Sequence, residues 1–373
     1  MTSPPPTPAP RPGPEHSTEH CTDAAAASPD GLPRVVEPAP AGPTGLMADP
    51  PLTADEAAYI AAARADNTRR GYRSVWAGFT GFCRDHGLEA MPAAPATVSG
   101  YLIALAQAGA KVTTIGKHLS AIRAAHRAAN QPDPAVTSRV TAVMEGIRRS
   151  HGEPPDQAPP LMPPQLDAAI AACPLVRSWK NRPDEPALAG ARDRALLLIG
   201  FWGALRRSEL AALTVEQIGP ERLLRSGRRG RVMPLPRSKT NQTGDKPELV
   251  GLPRAERPEH CPLTALDTWL ELSGITTGPV LRKVSTGNRA LNQPLHPESI
   301  NNLVHAATTR AGLPDGPYSA HSLRAGFVTY AHLRGATDRA IAHQTRHRSM
   351  DTITDYIRVD DVFVDNAVLH IDW

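Results

Sequence analysis

The C-terminal part of the chain holds polar residues whose types and spacing suit chemistry on a phosphate. His321 and Arg324 are three residues apart, so a helix would present both on one face. His347 is followed nine residues later by Tyr356, whose phenol can act as a nucleophile. A guanidinium binds a phosphate through paired hydrogen bonds, and an imidazole can move a proton near neutral pH. The set therefore indicates a phosphate-handling site.

Two upstream segments supply further cations. One contains Arg206 and Arg207 in the sequence Gly-Ala-Leu-Arg-Arg-Ser-Glu-Leu, and the other contains Lys239 in Arg-Ser-Lys-Thr-Asn-Gln. Attack on a phosphodiester without a metal develops negative charge on the non-bridging oxygens, which two arginines can neutralise. Arg206 and Arg324 are the candidates for this task. A lysine on a β-hairpin, here Lys239, can protonate a leaving oxygen if its surroundings lower its pKa.

Each candidate also has an ordinary structural interpretation. Arg206 can form a surface ion pair with Glu209, which is three residues further along a helix. Hairpin lysines are commonly solvated, and a single histidine such as His321 is often buried and bonded to a backbone carbonyl. His347 can equally be a solvated loop histidine. These interpretations stay open for each residue taken alone.

Taken in chain order, the candidates and their local sequences resemble the tyrosine recombinase (phage integrase) family. The resemblance covers roughly residues 53–373 and is strongest in the second half of the chain, while the segment 67–82 resembles the first core-binding helix of the family. The catalytic residues that it implies are Arg206, Lys239, His321, Arg324, His347 and Tyr356. The weaker alternatives in the sequence are Arg207, Lys246, Tyr318 and Tyr330.

The resemblance also implies a reaction at a DNA phosphodiester. Tyr356 would attack the scissile phosphate and leave a 3′-phosphotyrosine and a free 5′-hydroxyl. Lys239 would be the general acid, His321 would assist proton transfer, and His347 would donate a hydrogen bond to a non-bridging oxygen. The covalent link conserves the bond energy for rejoining, so no nucleotide cofactor is needed.

The chain departs from the family at the residue before His347. The family usually has glycine at that turn, and this chain has Arg346. A side chain there would crowd the site or require a backbone angle that glycine adopts more easily. Arg346 is therefore expected to affect activity.

Metal binding and disulfide formation are not favoured. His343 and His347 have the i, i+4 spacing of some zinc-binding helices, but no Glu follows His343 and no third ligand is evident. The cysteines lack the paired spacing of zinc sites and the density of secreted disulfide scaffolds, and they stand singly at Cys21, Cys83, Cys173 and Cys261. Reduced thiols and no cofactor are therefore expected.

The positions of the charged residues are more informative than the net charge. The 373 residues include 41 Lys and Arg against 37 Asp and Glu, a net charge of +4. Residues 222–239 hold seven basic side chains and no acidic one, which suits a polyanion because neutralised phosphates release counterions, although a solvated arginine-rich hairpin is the alternative. No apolar run reaches the roughly 18 residues of a membrane span, and the start of the chain lacks a signal-peptide pattern. A soluble cytoplasmic protein is expected.

The sequence divides into segments of different composition. Residues 1–52 are rich in proline and poor in aliphatic periodicity, which predicts a disordered tail. Residues 53–150 show helical spacing of apolar residues and basic side chains, as in a helical core-binding domain for DNA. Residues 151–164 form a proline-rich linker, which would let two domains close around a duplex. Residues 165–373 form the catalytic domain, so the predicted fold is mainly α with a small β-sheet.

The function that the resemblance implies is site-specific recombination or integration. The enzyme would cleave and rejoin double-stranded DNA as a homo-tetramer on paired sites. Two alternatives are a type IB topoisomerase-like enzyme that relaxes DNA as a monomer and an inactive relative that only binds DNA. The apolar tail after Tyr356 would pack either on a neighbouring subunit or on its own domain. The target site, accessory proteins and the choice among integration, excision and resolution are not determined by these residues.

Overall fold

The chain divides by its contacts into two units, Met1–Ala63 and Arg64–Trp373. A computed structural model describes residue 55 and residues 66–154, 157–179, 182–236, 247–314 and 316–347. Several predictions fall outside these residues, namely those on the tail 1–52, Lys239, Lys246, Tyr356 and the apolar segment after it. The predicted division into core-binding domain, linker and catalytic domain stays a prediction.

The first group of helices lies in the region predicted to bind DNA. Within residues 66–151 they are α1 (Asp66–Asp85), α2 (Pro95–Gln107), α3 (Val112–Ala128) and α4 (Ser138–His151). Helical spacing of apolar residues explains them: in α1, Val75, Phe79 and Cys83 are four residues apart, and all three are buried. Phe79 and Cys83 join Leu102 and Ile122 in one hydrophobic core.

The helices of residues 165–347 pack around a second core, except that the last one packs through Ile341 on Val328 in a small separate cluster. They are α5 (Gln165–Ala171), α6 (Leu188–Trp202), α7 (Arg207–Ala212), α8 (Pro262–Ser273), α9 (Pro297–Arg310), α10 (Ala320–Leu333) and α11 (Asp338–Thr345). Helix α6 is apolar on most sides and buries the whole run 196–199, and α5, α8, α9 and α10 pack against it. Among the residues described, no helix is both long and apolar enough to cross a bilayer.

The strands form small antiparallel sheets. Two hairpins and one three-stranded sheet are described: β1 (Val176–Trp179) with β2 (Arg182–Pro186), β3 (Arg222–Leu223) with β4 (Arg229–Leu235) and β5 (Glu248–Pro253), and β6 (Arg282–Val284) with β7 (Ala290–Pro294). Met233 lies opposite Val250 and both are buried, so one face of the three-stranded sheet joins the core. The predicted class, mainly α with a small β-sheet, is confirmed.

The helices were predictable and two of the hairpins were not. Proline at the first helical position begins α8 at Pro262 and α9 at Pro297, because its fixed φ suits a helix start and its missing N–H is not needed there. The hairpins β1–β2 and β6–β7 were missed. Their strands carry charged residues and proline, and β7 is mostly exposed, so they lack the alternating apolar residues that mark a half-buried strand.

Helix α10, which carries two of the candidate residues, packs closely against neighbouring backbone. The amide of Leu161 donates to the carbonyl oxygen of Ser322 at 2.8 Å, and Leu161 itself is fully buried although it belongs to the predicted linker. A Cβ at Gly326 would overlap the carbonyl oxygen of Leu161. On another side, a Cβ at Gly200 of α6 would lie 2.7 Å from a methyl carbon of Leu323. Because both positions are glycine, α10 can pack this closely against Leu161 and α6, and this close packing fixes its position.

Candidate active site

The first turn of α10 is held by its capping residues. The Oγ atom of Ser319 accepts a hydrogen bond from the amide of His321 at 3.2 Å, and the Oγ atom of Ser322 accepts one from the amide of Ser319 at 3.1 Å. The amide of Ala320 donates to Oδ1 of Asn301 on α9 at 3.2 Å. This anchoring to α9 fixes the start of α10 and, with it, the backbone that carries His321.

Arg324 lies one turn further along α10 and connects three segments. Its side chain is almost completely buried, with 1% of the residue exposed. Nη1 donates to the carbonyl oxygen of Ala204 at 2.5 Å, and Nη2 donates to that of Thr345 at 2.6 Å and to Nε2 of His347 at 2.8 Å. The guanidinium is therefore oriented by the turn before α7 and by the end of α11.

Arg206 occupies the N-cap of α7 and pairs with a buried carboxylate. Oε2 of Glu209 accepts from the amide of Arg206 at 2.8 Å, and Oε1 accepts from its Nη1 atom, also at 2.8 Å. The ion pair that the sequence offered as the ordinary interpretation is thus present, but it is buried, since the Glu209 side chain is only 1% exposed. The pairing does not remove Arg206 from solvent, because its side chain also lines a cleft.

This cleft brings candidates from different segments together. It has a volume of about 390 Å³, and its lining residues are Leu205, Arg206, Arg207, Ser208, Pro297, Asn301, Ser319, Ala320, His321 and Arg324. Arg207, the competitor of Arg206, donates from Nη1 to Oε2 of Glu298 at 2.6 Å in an exposed ion pair. The guanidinium of Arg206 and the imidazole of His321, with the buried Arg324 in the wall of the same cleft, can bind and polarise a phosphate group.

Glu209 stays ionised in spite of its burial. Burial by itself would raise the pKa of this carboxyl group, but the charges and hydrogen bonds of Arg346 and Arg206 outweigh it, and the pKa lies below its ordinary value. A buried carboxylate therefore lies behind the arginines of the cleft. Its negative charge opposes anion binding unless other cations balance it.

His347 is a neutral histidine in this arrangement. Burial, together with the charges of Arg324, Arg206 and Arg346, lowers its pKa to about 4. Nε2 accepts the hydrogen bond from Arg324, and Nδ1 lies 3.0 Å from Oγ1 of Thr345. That hydroxyl donates to the carbonyl oxygen of Ile341 at 2.7 Å, so the network assigns the proton of the imidazole to Nδ1. Donation from Nε2 to a phosphate oxygen requires the other tautomer.

Arg346 adopts the unusual backbone angle that its position suggested. It ends α11 in the left-handed region, with φ 58° and ψ 40°, and its side chain turns inward. Nη2 donates to Oε2 of Glu209 at 2.6 Å, and Nη1 donates to the carbonyl oxygen of Gln344 at 2.8 Å. Weaker hydrogen bonds, both 3.3 Å long, reach the carbonyl oxygens of Gly203 and Ala204. The side chain lies behind Arg206, not among the residues that line the cleft.

The structure places four of the six predicted site residues in one region. Arg206, His321 and Arg324 line the cleft, and His347 is hydrogen-bonded to Arg324. Lys239 and Tyr356 lie outside the described residues. Of the rival tyrosines, Tyr330 lies beside Phe201 and Tyr318 packs against the core.

Some partners of the site were missed by sequence reasoning. Thr345 orients His347, the carbonyl oxygen of Ala204 accepts from Arg324, and Glu248 lies 3.5 Å from the Nε atom of Arg346. The contacts of Ala204 and Glu248 join distant segments, so no spacing along the chain indicates them, whereas Thr345 is only two residues from His347. Over the described part of the chain, no group of three or more His, Cys, Asp or Glu side chains could hold a metal ion.

Curated relatives place the chain in a family. No family model matches it. An integrase/recombinase XerD homologue of Selenomonas ruminantium is 32% identical over 308 residues, which cover 82% of this chain and 85% of that protein. The tyrosine recombinase XerD of Pseudomonas putida is 26% identical over 308 residues, which cover 82% of this chain and 90% of that protein.

Solved structures agree with this assignment at the level of the fold. A lambda integrase dimer bound to a COC′ core site aligns with a TM-score of 0.54 at 16% identity, covering 83% of this chain and 79% of that one. The Tn1549 transposon integrase in complex with transposon right end DNA aligns with a TM-score of 0.52 at 14% identity, covering 84% and 96%. The sequence identity and coverage of the Selenomonas relative, together with this fold, show that the chain belongs to the tyrosine recombinase family, the site-specific enzymes that break and rejoin DNA strands.

Proposed function

We propose that this recombinase cleaves double-stranded DNA with Tyr356 as the nucleophile. The phenolic oxygen attacks the scissile phosphorus and the bond to the 5′-oxygen breaks, which leaves a 3′-phosphotyrosine. His321 takes the phenolic proton, and Lys239 gives a proton to the leaving 5′-oxygen. Attack by a 5′-hydroxyl of the partner strand then restores a phosphodiester and releases Tyr356.

The shared cleft of Arg206, His321 and Arg324 is the observation that supports this proposal best. In-line attack puts extra negative charge on the non-bridging oxygens, and two guanidiniums fixed by buried hydrogen bonds stabilise it without rearranging. Arg324 is held by two backbone carbonyl oxygens and by neutral His347, so its orientation precedes substrate binding. Metal ions are not needed in this scheme.

The assembly and the substrate are part of the proposal. Double-stranded DNA is the partner that suits the basic stretch in residues 222–239 and the exposed basic side chains of the helices before it. Strand exchange between two duplexes requires the cleavage of four strands, so four protomers on paired sites are proposed, with residues 53–150 and 165–373 closing around the duplex. The cytoplasm is the proposed location.

Covalent trapping tests the nucleophile. Wild-type protein and Tyr356→Phe are incubated with a pool of nicked duplex fragments from the source replicon, because loss of the short strand beyond the nick traps the cleaved complex. The expected result is a protein–DNA adduct on a denaturing gel for the wild type and none for Tyr356→Phe. Tyr330→Phe is the matched control, and it should retain the adduct.

The outcomes separate the alternatives. An adduct that persists in Tyr356→Phe would show that another residue is the nucleophile. DNA binding without an adduct in the wild type would favour the binding-only relative. Relaxation of supercoiled DNA lacking any particular site would favour the topoisomerase-like activity, which the recombinase relatives do not support.

A further inference from the structure

The position of Arg346 is energetically unfavourable in two respects, and the contacts of its side chain offset them. A non-glycine residue in the left-handed region is strained, and a guanidinium with only 4% of its side chain exposed has lost most of its hydration. Burial lowers the pKa of Arg346, whereas the carboxylate of Glu209 opposes this change. A glycine would avoid both the backbone strain and the loss of hydration. The contacts of the Arg346 guanidinium must therefore offset these two unfavourable effects.

Those contacts join Arg346 to both phosphate-binding arginines. Oε2 of Glu209 accepts from Arg346 and from the amide of Arg206, while Oε1 accepts from the Arg206 side chain. The carbonyl oxygen of Ala204 accepts from Nη1 of Arg324 and from Nη2 of Arg346. One buried guanidinium therefore holds the carboxylate that orients Arg206 and one of the three acceptors that orient Arg324.

The charges of this cluster give Arg346 a second effect. Arg206 and Arg324 carry two positive charges, and Glu209 and Glu248, both within 4.0 Å of Arg346, carry two negative charges. Without Arg346 these four groups sum to zero, and with it they sum to +1. A net positive cluster behind the cleft favours a bound phosphate, whereas a neutral one does not.

We propose that Arg346 is a positioning residue, which fixes Arg206 and Arg324 through Glu209 and Ala204 and keeps the cluster positive toward the scissile phosphate. This inference rests on the proposed function of the cleft. The ion pair between Arg346 and Glu248 also links the end of α11 to β5. Glu248 is the first residue of β5, and this strand follows the segment that contains Lys239.

A double-mutant cycle tests the charge argument directly. The probe is inorganic phosphate, titrated at low salt into the full-length protein by calorimetry. We expect Arg346→Met to weaken phosphate binding by on the order of tenfold, since it removes one unit charge near the anion. Adding Glu209→Gln to Arg346→Met restores the net charge of +1 and should recover the part of the affinity that depends on charge. If Arg346 acts through packing alone, the double variant should bind phosphate no better than Arg346→Met.

Two further variants separate the charge from the backbone and from the overall charge of the protein. Arg346→Gly relieves the left-handed strain but should bind phosphate as weakly as Arg346→Met. Arg339→Met removes an exposed arginine from the same helix and should bind like the wild type. Thermal melting of each variant checks that the fold is intact.

The result that would overturn the inference is equal phosphate affinity in the wild type and Arg346→Met, or no saturable binding by the wild type. Covalent trapping with the same variants reports on the proposed function independently. A normal phosphate cycle without any wild-type adduct would sink the proposed cleavage but leave the role of Arg346 intact. If the wild type forms the adduct and Arg346→Met has unchanged phosphate affinity and adduct yield, the proposed cleavage stands and the role of Arg346 is refuted.

Discussion

The side chains of the cleft show how a few residues are oriented by groups that never reach the substrate. Arg324 donates to two backbone carbonyl oxygens, and Glu209 is shared by Arg206 and Arg346. Such buried, charge-assisted hydrogen bonds are strong because little water competes for them. Removal of one partner leaves the other buried without compensation, so substitutions behind the cleft should affect activity as substitutions in it do.

The neutral state of His347 predicts a dependence of stability on pH. Burial lowers its pKa from 6.5 to about 4 in the folded protein. Between these values the unfolded chain binds a proton at His347 and the folded chain does not, so stability falls as the pH falls from 6.5 toward 4. In His347→Gln this contribution is absent, and the decline should be shallower. Urea unfolding of both proteins across this range measures it, and identical slopes would contradict the low pKa.

At the level of elements, the position of α10 determines where His321 and Arg324 lie. Its first turn is anchored to α9 through Asn301, and its buried side is set by close packing at Gly326 and Gly200. Close-packed interiors transmit a shift of this kind because no space exists to absorb it. The geometry of the cleft therefore depends on positions that carry no functional group.

Gly326→Ala should be destabilising, because its methyl group would overlap the carbonyl oxygen of Leu161. Overpacking of this kind costs about 1–3 kcal/mol of unfolding free energy. Gly100→Ala in α2 is the matched control: its Cβ meets no atom within 4 Å, and alanine is the better helix former by up to about 1 kcal/mol. Urea unfolding compares the two, and a Gly326→Ala protein as stable as the wild type would show that α10 can move away from Leu161.

At the level of the whole molecule, the distribution of basic residues matters more than the net charge. A net charge of +4 is small for 373 residues, yet basic residues outnumber acidic ones 11 to 5 in residues 66–151 and 7 to 0 in residues 222–239. Affinity for duplex DNA should then depend steeply on salt, because each phosphate contact releases counterions.

Lys117 gives a test of that distribution. It is exposed on α3 and its terminal atoms approach Gly71 of α1. Lys117→Gln should reduce the slope of log affinity against log salt by about one, if it contacts a phosphate. Arg84→Gln is the control, since Arg84 is already paired with Asp85 at 3.0 Å. Filter binding to a duplex at several salt concentrations measures both, and an unchanged slope in Lys117→Gln would remove this face from the DNA interface.

Local sequence patterns were sufficient for most helices and for the types of the site residues. The spacing of apolar residues predicts α1 to α4, prolines begin α8 and α9, and the three-residue separation puts His321 and Arg324 on one face of α10. These features depend on residues close in sequence. The hairpins β1–β2 and β6–β7 were not predicted, because their strands bury too few apolar side chains to show an alternating pattern.

The family resemblance and its implied residues came from the sequence alone, and the tertiary structure decided how the residues are connected. Arg346 and Glu209 are 137 residues apart, and Arg324 and Ala204 are 120 apart. From the sequence, Arg346 was expected only to crowd the site or to require an unusual backbone angle. In the structure its side chain also turns inward and pairs with Glu209. Contacts between distant segments depend on the packing of the intervening helices, which no local pattern encodes, so the charge balance behind the cleft is a property of the fold.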